Sequence, residues 1–259
     1  MKLIKSKDNI VFKEIIQIKQ KNKKQPGAQI FIEGLRLCTD ALISDVCFVT
    51  TIISESCLSQ IDLSAFENCS QIIALSDSLF KKICSTNNPQ GIAAIVKSPV
   101  LYSLNELVIK PQDCFLICES IQDPGNLGSI IRTADAFGFA GIIFTKDTVD
   151  PFNEKVFRSS MGSIFHIKLI CIDSIIEATS YLKKNGVTIY ATDLGGTDLS
   201  KEFIFKIPCA IIMGNEGKGI SKYASINCDN LVRIPMKGNA ESLNVSNATA
   251  ILCYLVSIQ

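Results

Sequence analysis

The sequence predicts an α/β protein: a larger C-terminal domain built on a mostly parallel sheet, preceded by a smaller α/β/α domain. Three observations carry that reading. From Cys114 onward, short apolar runs alternate with longer segments of helical periodicity. The runs lack sustained helical periodicity, as strands buried on both faces do. Upstream, a similar but shorter alternation ends at two proline-bearing stretches, Lys97-Ser98-Pro99 and Lys110-Pro111, which suit a connection between domains.

In the first segment, Ile10, Val11, Ile15 and Ile18 fall on one side of a helix predicted over Asn9 to Gln20, which Gln25-Pro26-Gly27 stops. A strand over Gln29 to Ile32, a helix over Glu33 to Ile43 and a strand over Val46 to Thr51 follow. A helix around Asp77 to Cys84 and a strand from Gly91 to Val96 complete the first domain. In the second, strands are predicted at Cys114 to Cys118, Gly141 to Thr145, Val187 to Ala191, Cys209 to Met213 and Asn230 to Ile234. Helices are predicted near Leu127 to Phe137, Ser174 to Lys184 and Asn244 to Ser257. The domains are expected to span residues 1–105 and 106–259, with a linker at about 97–111.

An apolar content of 47% over 259 residues supports well-formed cores and argues against extensive disorder. The net charge of +1 carries no global nucleic-acid signature, but eight lysines crowd Lys2 to Lys24 against only Asp8 and Glu14. Lys13, Lys19, Lys21, Lys23 and Lys24 are therefore candidate phosphate contacts, or else members of a solvated helix face. The eleven cysteines lie scattered in apolar runs with no CxxC pair, and there is one histidine. That pattern speaks against a disulfide framework or a metal site and for a reducing, cytoplasmic setting. Ser242 to Gln259 is uncharged, but Asn244, Ser246, Asn247 and Thr249 interrupt it, so burial against protein is expected rather than a membrane span.

Three stretches carry the chemistry. Asp123-Pro124-Gly125-Asn126-Leu127-Gly128 opens a helix whose free N–H groups favour anions, with Arg132 inside it and Asp135 three residues on. Met213-Gly214-Asn215-Glu216-Gly217-Lys218-Gly219 ends an apolar run in a tight turn that lacks the phosphate-loop signature. Ile234-Pro235-Met236 and Glu241-Ser242-Leu243-Asn244 lead into the last helix, where Ser242 or Asn244 suits an N-cap. Turns after parallel strands gather at one end of a sheet, where α/β proteins bind ligands.

In this order and spacing the three stretches resemble the motifs of the SpoU (TrmH-type) branch of the SPOUT RNA methyltransferases. The resemblance runs from at least Cys114 to the C-terminus. Pro89-Gln90-Gly91-Ile92-Ala93-Ala94 is similar, more loosely, to the end of that family's N-terminal substrate-binding domain. The resemblance implies a trefoil-knotted C-terminal domain, an N-terminal domain of the ribosomal L30e-like fold, and a homodimer. It implies transfer of a methyl group from S-adenosylmethionine, without a metal, to a ribose 2′-hydroxyl of structured RNA. Ribosomal RNA, 23S, is the expected substrate. Transfer RNA, and a catalytically inactive RNA-binding relative, are the alternatives. By the same resemblance Asn126, Arg132, Glu216, Ser242 and Asn244 form the catalytic constellation, and Met213, Gly214, Asn215, Ile234, Met236 and Leu243 contact the methyl donor. Arg132 could move a proton or clamp phosphate and a developing alkoxide. His166, expected on an apolar strand outside the motifs, is not assigned the base.

Overall fold

A computed structural model describes residues 1–20, 27–66, 69–200 and 202–259. It divides into two compact units, residues 1–100 with 152–165, and residues 101–151 with 166–259.

The first unit is a mixed five-stranded sheet in the order β1-β4-β3-β5-β2, comprising β1 (Lys2–Ile4), β2 (Gln29–Glu33), β3 (Phe48–Ser54), β4 (Ile72–Leu75) and β5 (Ile92–Lys97). The β1, β4 and β3 strands run parallel, whereas β5 is antiparallel to both β3 and β2. Helix α1 (Ile10–Gln20) buries Phe12, Ile15 and Ile18 against Phe31, Ile52, Ile73 and Ile95 of the sheet. Helices α2 (Leu35–Ile43) and α3 (Asp77–Ile83) follow the predicted positions closely. The Gln90 side chain accepts from the Leu35 amide at 2.8 Å and so caps α2, which Gly34 enters at φ 102°.

The second unit is a seven-stranded parallel sheet ordered β12-β10-β11-β7-β8-β9-β6. Its strands are β6 (Leu101–Tyr102), β7 (Cys114–Cys118), β8 (Gly141–Thr145), β9 (Lys168–Ile172), β10 (Thr188–Asp198), β11 (Cys209–Met213) and β12 (Asn230–Arg233). Every residue of β7, β8 and β11 is buried, so both faces of the central sheet are covered. Phe115, Ile117, Ile143 and Ile212 pack with Ile175, Ala178 and Leu182 of α6 (Ile175–Lys184) and Ala224 of α7 (Lys222–Asn227). Helices α4 (Pro124–Ala136) and α8 (Val245–Ser257) pack on each other; α5 (Glu154–Ser160) belongs to the first unit.

Three departures from the sequence reading have physical reasons. The stretch read as a linker instead supplies the edge strand β6, paired with β9, and a capped 3-10 turn that buries Leu104 and Leu107 in the second core. His166 is not on a strand: it precedes β9, half exposed, with Nδ1 3.2 Å from Asp135 Oδ2. The β10 strand runs past Ala191 because Thr192 and Thr197 both register with Val232 of β12. Gly196 crosses there so closely that a Cβ would lie 2.7 Å from the Val232 backbone.

Candidate active site at the carboxyl ends of β7, β10, β11 and β12

All seven strands of the second sheet point the same way, so the loops after β7, β11 and β12 and the end of β10 collect at one edge. Between them lies a cavity of about 720 Å³, within the range of small-molecule sites. Its walls are apolar where Met213, Val232, Ile234, Leu243, Ala248 and Leu252 line it, and carboxylates of Asp193, Glu216 and Glu241 reach its surface.

Each loop is held by its own chemistry. After β11, Asn215 and Gly219 exchange backbone hydrogen bonds of 3.0 and 2.9 Å, closing a hairpin. Asn215 Oδ1 accepts from the amides of Gly217 and Lys218, both at 3.0 Å. Gly214 is required by close approach rather than by its backbone angle, since a Cβ would lie 2.3 Å from the Gly219 carbonyl carbon. After β7, Asp123 caps α4 by accepting from the Asn126 amide at 2.9 Å, with Pro124 at the first helical position. At the start of α8, Asn244 is the N-cap, its Oδ1 accepting from the Ser246 amide at 2.9 Å.

These loops are joined by one chain of side-chain hydrogen bonds. Asn244 Nδ2 donates to Asn126 Oδ1 at 3.0 Å, and Asn126 Nδ2 donates to Glu216 Oε1 at 3.0 Å. Glu216 also accepts from the Asp123 amide at 3.0 Å and from the Gln122 amide at 3.1 Å. Burial alone would raise the Glu216 carboxyl, but these donors, Asn126 foremost, outweigh it and hold it below the ordinary glutamate value. Asn244 thus caps a helix and belongs to the site at once.

Of the residues singled out in the sequence, Met213, Gly214, Asn215, Glu216, Ile234, Met236, Ser242, Leu243 and Asn244 line the cavity together. Asn126 stands behind its rim through Glu216 and Asn244. Arg132 does not line it: it is exposed on α4, and among the described residues its guanidinium has no partner, Asp135 being paired with His166. Lys13 is exposed and pairs with Asp8 at 3.4 Å. Lys19 turns inward, donating to the Ile83 carbonyl, lying 3.4 Å from Glu154 and 4.5 Å from the Phe31 ring centre. That disposition makes Lys19 a structural ammonium and not an open phosphate contact. Lys21, Lys23 and Lys24 lie outside the described residues.

The sequence reading missed the β10 side of the cavity, formed by Thr192, Asp193 and Leu194. Arg233 fixes that wall, Nε donating to Asp198 Oδ1 at 2.6 Å and Nη1 to the Leu194 carbonyl at 3.0 Å. Gly195-Gly196 in a polar stretch was the available signal, since paired glycines mark close backbone approach.

Residues 113–254 match the SpoU rRNA Methylase family, and residues 9–94 match the MRM3-like substrate binding domain. The chain belongs to the SpoU family. It is 34% identical over 254 residues to the 23S rRNA (guanosine(2553)-2'-O)-methyltransferase of Bacillus subtilis (strain 168), covering 98% of each chain. An uncharacterized tRNA/rRNA methyltransferase of Archaeoglobus fulgidus is 35% identical over 166 residues, 62% of this chain and 74% of that one. Among solved structures, the AdoMet-bound rRNA methyltransferase from Sinorhizobium meliloti superposes with a TM-score of 0.86 at 28% identity, over 98% of this chain and 96% of that one. The SpoU methyltransferase AviRb from Streptomyces viridochromogenes, in complex with AdoMet, gives a TM-score of 0.85 at 26% identity, over 97% and 98%.

The SpoU cavity suits a cationic adenosyl donor on its own chemistry. Apolar walls accept a purine, closely turned backbone offers amides and carbonyls, and carboxylates at the surface complement a sulfonium and an ammonium. Among the described residues no group of three or more His, Cys, Asp or Glu is disposed to hold a metal ion, and no helix is long and apolar enough to cross a membrane.

Proposed function

We propose that this SpoU protein transfers the methyl group of S-adenosylmethionine to a ribose 2′-hydroxyl of 23S ribosomal RNA in the cytoplasm. The observation that carries the reading is the hydrogen-bonded chain Asn244–Asn126–Glu216. It draws three distant loops to the mouth of a cavity suited to the donor. The 34% identity to a 23S rRNA 2'-O-methyltransferase, over 98% of each chain, supports the substrate. S-adenosylmethionine, held by Met213, Gly214, Asn215, Ile234, Met236 and Leu243, supplies a methyl on a sulfonium whose departure needs no acid.

What remains for the protein is alignment and the fate of the hydroxyl proton. Glu216 is ill suited to take that proton, because its carboxylate is occupied by donors that favour the charged form. Its role is to fix Asn126 and the α4 entrance. Asn126, Ser242 and Asn244 present amide and hydroxyl groups that can orient the ribose. Arg132, exposed on α4 and without a partner among the described residues, binds the neighbouring phosphate and stabilises the developing alkoxide. The protein acts as a homodimer, which Ile251, Tyr254 and Ile258 favour: they form an exposed apolar stripe along α8. The superposition on SpoU methyltransferase structures over nearly the whole chain supports the trefoil threading of the C-terminal unit.

The decisive test is transfer from tritiated donor into purified RNA pools, with ribose-methylation mapping of the labelled species. Label in 23S RNA is expected. Label confined to transfer RNA would move the substrate, and none in any pool, with the donor still bound, would make this an RNA-binding relative without catalysis.

A further inference from the structure

One carboxylate beside the site plays no part in the reading above. Glu119, the first residue past β7, is buried, only 8% exposed, yet does not line the cavity. Its amide donates to the Met213 carbonyl at 2.9 Å, the last rung between β7 and β11. Its Oε2 accepts from the Ser221 amide at 2.8 Å, just where the chain leaves the β11 hairpin. A buried polar oxygen is costly unless it is bonded, and the Ser221 amide supplies that bond.

The next residue grips the other root of the same hairpin. Ser120 accepts at its carbonyl from Asn215 Nδ2 at 2.8 Å. Ser120 adopts φ 58°, a conformation non-glycine residues seldom take, and neighbouring bonds hold it there. Its amide donates to Thr145 Oγ1 at 3.0 Å and its hydroxyl to Asp147. The hairpin that contributes Gly214 to Gly219 to the cavity is closed by its own backbone bonds between Asn215 and Gly219, and the segment after β7 holds both of its roots. The hairpin is clasped on one side at Asn215 by Ser120 and on the other at Ser221 by Glu119.

The structure assigns Glu119 the role of a positioning residue: by holding the exit of the β11 hairpin it sets the distance across the donor cavity and keeps Glu216 against Asn126. This rests on the methyltransferase reading for its consequence, but not for the clasp itself. Misplacement of reacting groups by about an ångström is enough to cost about a hundredfold in rate.

Amide hydrogen exchange without ligand tests the clasp, and calorimetric titration with S-adenosylmethionine tests its consequence. In Glu119→Ala, amides of residues 214–221 are expected to exchange about tenfold faster or more, with β7 and β8 still protected. Donor affinity is expected to fall about tenfold, the equivalent of one lost bond. Glu119→Gln keeps an oxygen for the Ser221 amide and is expected to restore both measurements to within about threefold. Unchanged hairpin exchange in Glu119→Ala would overturn the assignment. So would loss of protection throughout the second unit that Glu119→Gln fails to repair, because Glu119 would then be a core residue only. Should the unaltered protein bind no donor, the functional reading fails, and the exchange result still decides the clasp.

Discussion

At the scale of single residues the site depends on Glu216 remaining charged. Its lowered carboxyl means that the folded state binds the proton less readily than the unfolded chain does. The stability it confers is therefore complete above the ordinary glutamate range, about 4.3, and is lost as pH falls through the lower folded value. Glu216→Gln is expected to lower thermal stability at pH 7 by about 1 kcal/mol, the charged-bond figure discounted for the exposure of this loop. The gap between variant and unaltered protein should close as pH drops below about 4, followed by calorimetry. A gap that stays constant with pH would show that the charge is not what holds Asn126. Arg132 makes a different prediction. Because it has no partner among the described residues and does not line the cavity, Arg132→Ala should cut methyl transfer by about a hundredfold or more while donor affinity stays within a few fold. Equal loss of donor binding would mean that the arginine acts on the cavity. These residues were legible in the sequence because each sits in a motif whose spacing is fixed. The partners of Glu216 were not, since the amides of Gln122 and Asp123 come from a loop 94 and 93 residues away.

At the scale of elements, legibility followed local pattern. The central strands of the second sheet were predicted almost to the residue, because burial on both faces leaves uninterrupted apolar runs bounded by turns. The strands β1 and β4 were missed: they are three and four residues long, and β1 has only Ile4 buried. Nothing local in Lys2-Leu3-Ile4 marks a strand; pairing with β4 makes it one. The β10 strand outran its prediction because Gly195 and Gly196 would end a strand locally, whereas here they let it cross β12. The glycine at the end of β11 gives a sharp test of how little slack these turns have. In Gly214→Ala the added methyl would meet backbone atoms of Gly219 and Ile220 at 2.3 to 2.5 Å, none of which can rotate away. Donor binding is expected to disappear, with a stability loss of about 2 kcal/mol. Gly238→Ala, in the loop after β12, meets nothing within 4 Å and is expected to leave both unchanged. Comparable titrations for the two variants would remove the close-packed hairpin from the account of the site.

At the scale of the whole molecule, the two units do not follow the order of the chain. The sequence reading divided it once, near residue 105, because prolines are the only punctuation that composition offers there. Residues 152–165 instead complete the first unit, and contacts of several kinds tie them into it. Glu154 accepts from Ser85 Oγ at 2.6 Å and pairs with Lys19; Gly162 passes so close to α2 that a Cβ would lie 2.2 Å from Asp40 Oδ2. Phe152 and Phe157 are fully buried and stack with centroids 6.3 Å apart, and Phe157 meets Phe165 at 5.6 Å. An amphipathic seven-residue helix cannot announce to which of two cores its apolar face belongs. A chain beginning at residue 101 would keep every strand of the second sheet but leave Phe152, Val156, Phe157 and Ile164 without the first unit's core to cover them. That truncation is expected to bind a hydrophobic dye strongly and to aggregate, although the donor cavity lies wholly within it. Replacing residues 152–165 in the truncation by a short glycine-serine link should restore a soluble unit that binds S-adenosylmethionine with close to full affinity. Dye binding no greater than that of the full chain before the replacement would show that the segment can find cover within the second unit, and the division of the chain into these two cores would have to be redrawn.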